Sequence, residues 1–183
     1  YGWLTQGPKV IEFERKIAKY VGSKYAVSTT SCTAGLHLAY TAINMKKNDI
    51  LITTPITFVS TANTALMNGA KVIFADIDKN SINISIKEIK KIVKKYKGKI
   101  KAITPVHFGG APCEMKEIKD IAEHINADVI EDASHALGSR YSNGKRVGSC
   151  AYSLMTVFSF HPVKAIATGE GGMITTNDES IYK

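Results

Sequence analysis

The chain has 183 residues, 44% of them hydrophobic and 22% charged, a composition and length suited to one ordinary globular domain with its own core. No apolar run approaches the roughly 20 residues that cross a bilayer as a helix, and Tyr1 to Pro8 show neither the basic region nor the apolar stretch of a secretory leader. The formal charge of +8 raises nucleic acid as a partner, but much of the excess lies in Lys87 to Lys101, with no aromatic platform between the lysines, so nucleic acid is set aside.

Gly7-Pro8 precedes a helical pattern through Val10, Phe13, Ile17 and Tyr20, closed by Gly22. Tyr25 to Ser28 reads as a short strand running into the small-residue turn Thr29 to Gly35, then a helix carrying Leu36, Ala39, Tyr40 and Ile43. Asp49 to Thr54 is the next strand, ended by Pro55; Thr57 to Asn68 is a helix stopped by Gly69, and Lys71 to Asp76 is a third strand. Ile86, Ile89, Val93 and Tyr96 fall at helical spacing while Lys87, Lys90, Lys91, Lys94, Lys95 and Lys97 fill the other faces, an amphipathic helix with a solvated back. A strand over 100–106 follows, then a helix opened by Gly109, Gly110 and Pro112, and the strand Asp128 to Asp132, which ends in two acids. A tight turn at Tyr141 to Lys145, strands over 152–158 and 173–176, and a helix start at Asp178 to Ser180 complete the chain.

This alternation predicts an α/β fold, a mostly parallel sheet with helices on both faces and right-handed crossovers. Ligands of such sheets sit at the carboxyl ends of the strands, so the loops 30–34, 55–60, 107–112 and 132–138 are the ones to watch. No repeat, low-complexity segment, linker or metal site is expected. Cys32, Cys113 and Cys150 form no C-x-x-C pair and cannot all pair, which favours a reducing, cytoplasmic setting.

Three strand-end features converge. Lys164 stands just past the apolar run Ser153 to Phe158, where partial desolvation would disfavour its charge and free a lone pair for attack on a carbonyl; alternatively it is a solvated residue after a strand. The turn before the second helix is either plain capping by Ser31 or Thr33 or an anion site, because unpaired backbone N–H groups and the helix dipole point at one spot. Asp132 alone reads as a cap or an ion-pair partner. Pyridoxal 5′-phosphate needs a lysine, a carboxylate against its ring nitrogen and an anion site together.

The motifs Glu131-Asp132-Ala133-Ser134-His135-Ala136, Ser159-Phe160-His161-Pro162-Val163-Lys164 and Glu170-Gly171-Gly172 resemble those of the DegT/DnrJ/EryC1/StrS family of nucleotide-sugar aminotransferases, and the likeness runs from Thr5 to the last residue. The Ser-Phe-His-Pro-Val-Lys wording is closest to the family branch on the pseudaminic acid route. The resemblance implies fold type I (aspartate-aminotransferase-like), with residues 1–183 as an incomplete large pyridoxal-phosphate-binding domain and a small C-terminal domain outside the sequence. It implies pyridoxal 5′-phosphate as cofactor, pyridoxamine 5′-phosphate as its nitrogen-carrying form, and Lys164 as the Schiff-base lysine. By the same resemblance Asp132 partners the ring nitrogen, His135 approaches the ring oxygen, Ser159 with Cys32 and Thr33 forms the phosphate cup, and Phe58 stacks on the ring. Cys32 departs from the small residues usual there, and His161 reads as structural. The implied reaction moves an amino group, with glutamate as donor, to a nucleotide-linked 4-keto-6-deoxy sugar for cell-surface glycan biosynthesis, in a cytoplasmic homodimer with the site at the subunit interface. Dehydration of a sugar by the same fold, which family members with histidine at the lysine position carry out, and a pyridoxal-phosphate-binding regulatory domain without turnover are the rivals.

Overall fold

The computed structural model of the chain describes residue 3, residues 6–96 and residues 98–183; Thr5 of the family likeness and Lys97 of the lysine-rich face lie outside the described residues. Its seven strands are β1 (Tyr25–Thr29), β2 (Ile50–Thr53), β3 (Lys71–Phe74), β4 (Ile100–Thr104), β5 (Asp128–Asp132), β6 (Met155–Ser159) and β7 (Gly172–Thr176). They form one sheet in the order β1-β7-β6-β5-β4-β2-β3. All pairs are parallel except those of β7, which runs antiparallel to both β1 and β6.

The helices are α1 (Pro8–Val21), α2 (Cys32–Ala42), α3 (Ser60–Met67), α4 (Ile86–Lys95), α5 (Met115–His124) and α6 (Glu179–Tyr182). Proline at the first position of α1 spends no needed donor, and Gly22 ends the helix at φ 84°, a left-handed conformation that glycine adopts at little cost. Both sheet faces are covered. Leu36 of α2 packs with Leu51, Ile130, Val157 and Ile174 on one face, while Ile17 of α1, Ile89 of α4 and Ile118 of α5 pack with Ile52, Ile103, Val129 and Phe158 on the other. Each fully buried side chain of this size contributes about 2 kcal/mol of apolar transfer energy. Central strands buried on both sides read as continuous apolar runs, and Ile50 to Thr53 is buried at every position.

Several boundaries differ from expectation; β3 ends at Phe74 rather than Asp76, and α5 begins at Met115, past Gly109, Gly110 and Pro112. Helix α3 begins at Ser60, not Thr57, because residues 55–59 form a bent loop, with Pro55 to Phe58 in the cleft wall and Phe58 and Val59 exposed. Strand β4 stops at Thr104, since Pro105 has no N–H for the ladder, and Val106 rejoins only as a single bridge to Asp132. Strand β6 begins at Met155, because the stretch before it turns through Cys150 at φ 52° and delivers the Ser153 hydroxyl to Glu131.

Candidate active site

The ends of β1, β4, β5 and β6 and the start of α2 meet around a cleft of about 680 Å³, within the range of small-molecule sites. All four loops singled out from the sequence contribute to its wall. Side chains alternate along a strand, so β5 sends Asp132 to the face of α2 and α3 and Glu131 to the opposite face.

Asp132 is buried at 3% exposure, yet it lines the cleft. Its Oδ1 accepts from the amide N–H and the hydroxyl of Ser134 at 3.1 and 2.7 Å, and its Oδ2 accepts from the Thr61 hydroxyl at 2.7 Å. A buried carboxylate held by three donors and one step from open space is set to receive a cationic group.

Lys164 is half-buried on the same cleft, in the loop between β6 and β7 rather than at the strand end itself. That loop is fastened at its base. Phe160 is fully buried edge-on against Phe13, its N–H donates to the Gly171 carbonyl at 2.8 Å, and Thr168 N–H returns to the Phe160 carbonyl at 3.0 Å. Lys164 N–H donates to the His161 carbonyl, so a tight turn presents the amine. Among the described residues no ion pair includes Lys164.

The turn at the head of α2 is both capped and open. The Ser31 hydroxyl accepts from the Ala34 N–H at 3.1 Å, while the amides of Cys32 and Thr33 at the helix start have no intrahelical acceptor. Capping and anion binding, alternatives in the sequence, are thus compatible here. Ser159 ends β6 opposite Gly172 and lines the same end of the cleft. A Cβ on Gly172 would stand 2.5 Å from the backbone of Ser31, so β7 approaches this turn as only glycine can.

His135 is exposed to the cleft with its ring edge-on to Phe108, 6.1 Å between centroids. Its Nδ1 accepts from the Gly109 N–H at 3.3 Å, which leaves Nε2 as the hydrogen-bearing atom. Burial first, and the Lys164 charge second, hold its pKa below the usual imidazole value. Phe58, 73% exposed, stands at the rim, and His161 lines the mouth with Nε2 3.7 Å from Glu170.

Behind the sheet lies a polar cluster that the sequence did not announce. Glu131, fully buried, accepts from His107 Nε2 at 2.7 Å, from Tyr141 at 2.7 and 2.9 Å, from Thr156 at 2.9 Å and from Ser153. These donors outweigh burial and hold its carboxyl below the usual range. Burial opposes a charge on His107, while its contacts with Cys113 and Glu131 favour one. The Cys113 N–H decides for the neutral ring, because it donates to His107 Nδ1 at 3.1 Å and that nitrogen must keep its lone pair. The signal for this cluster was the acid pair on one strand, whose alternation demands two different environments. Thr61 and Ser134 were also missed, although Ser134 lies two residues from Asp132, within reach of its carboxylate.

Among the described residues no group of three or more His, Cys, Asp or Glu could hold a metal ion, and no helix is long and apolar enough to cross a membrane.

A mostly parallel seven-stranded sheet with one antiparallel strand, helices on both faces and a cleft at its carboxyl ends is the large-domain architecture of fold type I pyridoxal-phosphate transferases. The chain belongs to the DegT/DnrJ/EryC1/StrS aminotransferase family, whose profile matches residues 1–183. It is 49% identical over 178 residues to UDP-4-amino-4,6-dideoxy-N-acetyl-beta-L-altrosamine transaminase of Campylobacter jejuni, covering 97% of this chain and 46% of that protein. Helicobacter pylori PseC, an aminotransferase involved in the biosynthesis of pseudoaminic acid, superposes with a TM-score of 0.89 at 35% identity, covering 100% of this chain and 48% of that one. The sugar aminotransferase Spr1654 from Streptococcus pneumoniae in its PLP form, described as putative, has a TM-score of 0.89 at 26% identity, over 99% and 48% of the two chains. The chain spans less than half the length of the curated relatives it matches.

Proposed function

We propose that the protein is a sugar aminotransferase that uses pyridoxal 5′-phosphate, with pyridoxamine 5′-phosphate as its nitrogen-carrying form, and that residues 1–183 belong to its cofactor-holding large domain. The observation that carries this reading is a buried carboxylate and an amine in no ion pair among the described residues lining one cleft, Asp132 at the end of β5 and Lys164 beyond β6, with the open amides of α2 beside them. The donor set fits the group. Asp132 answers a protonated ring nitrogen, the amides of Cys32 and Thr33 with Ser159 answer a phosphate, and Nε2–H of His135 answers a ring oxygen. Phe58 offers an apolar face at the rim.

The cofactor, when bound, supplies the electron sink that stabilises a carbanion at the amino carbon. The chain supplies the rest. Asp132 would keep the ring nitrogen charged, and its burial would strengthen that attraction. Lys164 Nζ would hold the cofactor through its carbonyl carbon and, as a free amine, would take and give back the proton at the amino donor's alpha carbon. A lysine at position 164 suits amino transfer rather than dehydration, since proton relay of this kind needs the amine.

The name of the Campylobacter jejuni transaminase contains a UDP-linked 4-amino-4,6-dideoxy sugar, which supports a nucleotide-linked 4-keto-6-deoxy sugar as acceptor, and the family resemblance supports glutamate as donor. The exposed apolar side chains Phe58 and Val163 of the cleft wall, with exposed Val59 and Ile166 in the same two loops, suit a homodimer that closes the site, in the cytoplasm.

Borohydride reduction of the full-length protein incubated with pyridoxal 5′-phosphate, followed by peptide mapping, is expected to place the pyridoxyl mass on Lys164. Its appearance on another lysine would sink the assignment. Amino transfer from glutamate to a UDP-linked 4-keto sugar, assayed on the full-length chain, tests the reaction against dehydration and against simple cofactor binding.

A further inference from the structure

We propose that Thr57 and Cys32 are positioning residues for the Asp132 carboxylate, acting through Thr61 and Ser134 in two hydrogen-bonded chains whose donors all point toward it. The proposal uses the function above only in that Asp132 faces the cofactor. The direction of the chains follows from counting hydrogens.

Thr61 Oγ1 lies 2.7 Å from Oδ2 of Asp132. An ionised carboxylate only accepts, so the single hydroxyl hydrogen of Thr61 is committed there. Thr61 Oγ1 must then accept in its contact with Thr57 Oγ1, 2.8 Å away, and the chain runs Thr57 to Thr61 to Asp132. The other oxygen repeats the pattern. Ser134 commits its hydroxyl hydrogen to Oδ1 at 2.7 Å, so its 3.1 Å contact with Cys32 Sγ runs from thiol to hydroxyl. Cys32 is therefore a donor and not a nucleophile; burial, and next the Asp132 charge, push its thiol pKa well up, which keeps the hydrogen in place.

The heads of the two chains sit where the cleft is built. Thr57 precedes Phe58 in the loop before α3, and Cys32 is the first residue of α2, beside the open amides. Asp132 and Thr61 are both buried, so a reversed chain would leave an acceptor facing an acceptor where water does not compensate. The carboxylate thus fixes the orientation of both walls, and each wall fixes the carboxylate. Such coupling explains a cysteine at a position of small residues: it fills the space of a small side chain and adds a weak donor.

Infrared spectroscopy of the cofactor-free, full-length protein tests this directly through the S–H stretching band, assigned to Cys32 by its loss in Cys32→Ala. The wild-type band is expected at the lowered frequency of a hydrogen-bonded thiol, and Ser134→Ala is expected to raise it. A wild-type band already at the free-thiol frequency overturns the Cys32 chain, even if Ser134→Ala does not fold. For the second chain, the ¹³C chemical shift of the Asp132 carboxyl carbon at pH 7 is expected to move in Thr61→Val and by less in Thr57→Val, because the carboxylate loses a donor or its fixed direction. Thr61→Ser, which keeps the hydroxyl, is expected to restore the wild-type shift. No movement in Thr61→Val, or equal movement in Thr61→Ser, overturns the Thr57 chain. All these readings are taken without cofactor, so failure to bind pyridoxal 5′-phosphate would refute the proposed function while leaving the chains to stand or fall alone.

Discussion

Replacing Gly172 by alanine isolates what holds the anion-binding turn in place. The added Cβ would stand 2.5 Å from both C and O of Ser31 and 2.6 Å from Thr29 Oγ1, roughly an ångström inside ordinary contact distance. Neither side can yield cheaply. Gly172 is paired to Thr29 on one side and to Ser159 on the other, and Ser31 is tied down as the cap of α2. Overpacking of this kind costs about 3 kcal/mol, which for a chain of this size lowers the melting temperature by about 6–12 °C. Because the displaced atoms belong to the turn itself, pyridoxal 5′-phosphate affinity is also expected to fall at least tenfold, about 1.4 kcal/mol. Gly22→Ala is the control. There φ is 84° but nothing lies within 4 Å, so only left-handed strain of about 1 kcal/mol applies, with no change in cofactor affinity. Urea unfolding and a cofactor titration by absorbance measure both. A Gly172→Ala protein as stable as Gly22→Ala, with unchanged affinity, would refute the steric argument.

Asp132→Asn is expected to lower turnover at least a hundredfold, about 2.7 kcal/mol, by removing the charge that keeps the ring nitrogen protonated. Its unfolding free energy should stay within about 1 kcal/mol of wild type, since an amide N–H toward Thr61 is accommodated when the two threonine hydroxyls rotate; near-normal turnover would show that another acid does the work. Glu131 is held below the usual carboxylate range, so its contribution to stability is present above the unfolded value of about 4.3 and is lost as pH falls through the lower folded value. Urea denaturation from pH 7 to 3 should therefore show a steeper acid loss in wild type than in Glu131→Gln, and equal slopes would disprove the assignment. His135 should titrate below 6.5 by NMR, and Lys164→Gln should raise the midpoint without fully restoring it, because burial is the larger cause; an unmoved midpoint would place the lysine charge too far away to matter.

The sequence by itself determined the fold class, the order of elements and two residues that line the cleft. Apolar runs at Ile50 to Thr53 and Met155 to Phe158, helical spacing in α1 and α4, and glycine or proline at the breaks are local signals, because each reflects how one segment meets water. Lys164, Asp132 and the small-residue turn were legible because together they match the needs of one cofactor and the motifs of one family, although Lys164 lies in the loop beyond β6 and not at the strand end. Tertiary structure alone decided the rest. The start of α3 at Ser60 goes with a bent loop over 55–59 whose residues Pro55 to Phe58 line the cleft. The split of Glu131 from Asp132 needed the strand's register, since neighbours in sequence face opposite sides of a sheet. Thr61 lies 71 positions from the carboxylate it serves, and Cys32 lies 102 positions from Ser134. No pattern within a single segment encodes such pairs, because the hydrogen bonds that join them exist only after α2, α3 and β5 have packed together.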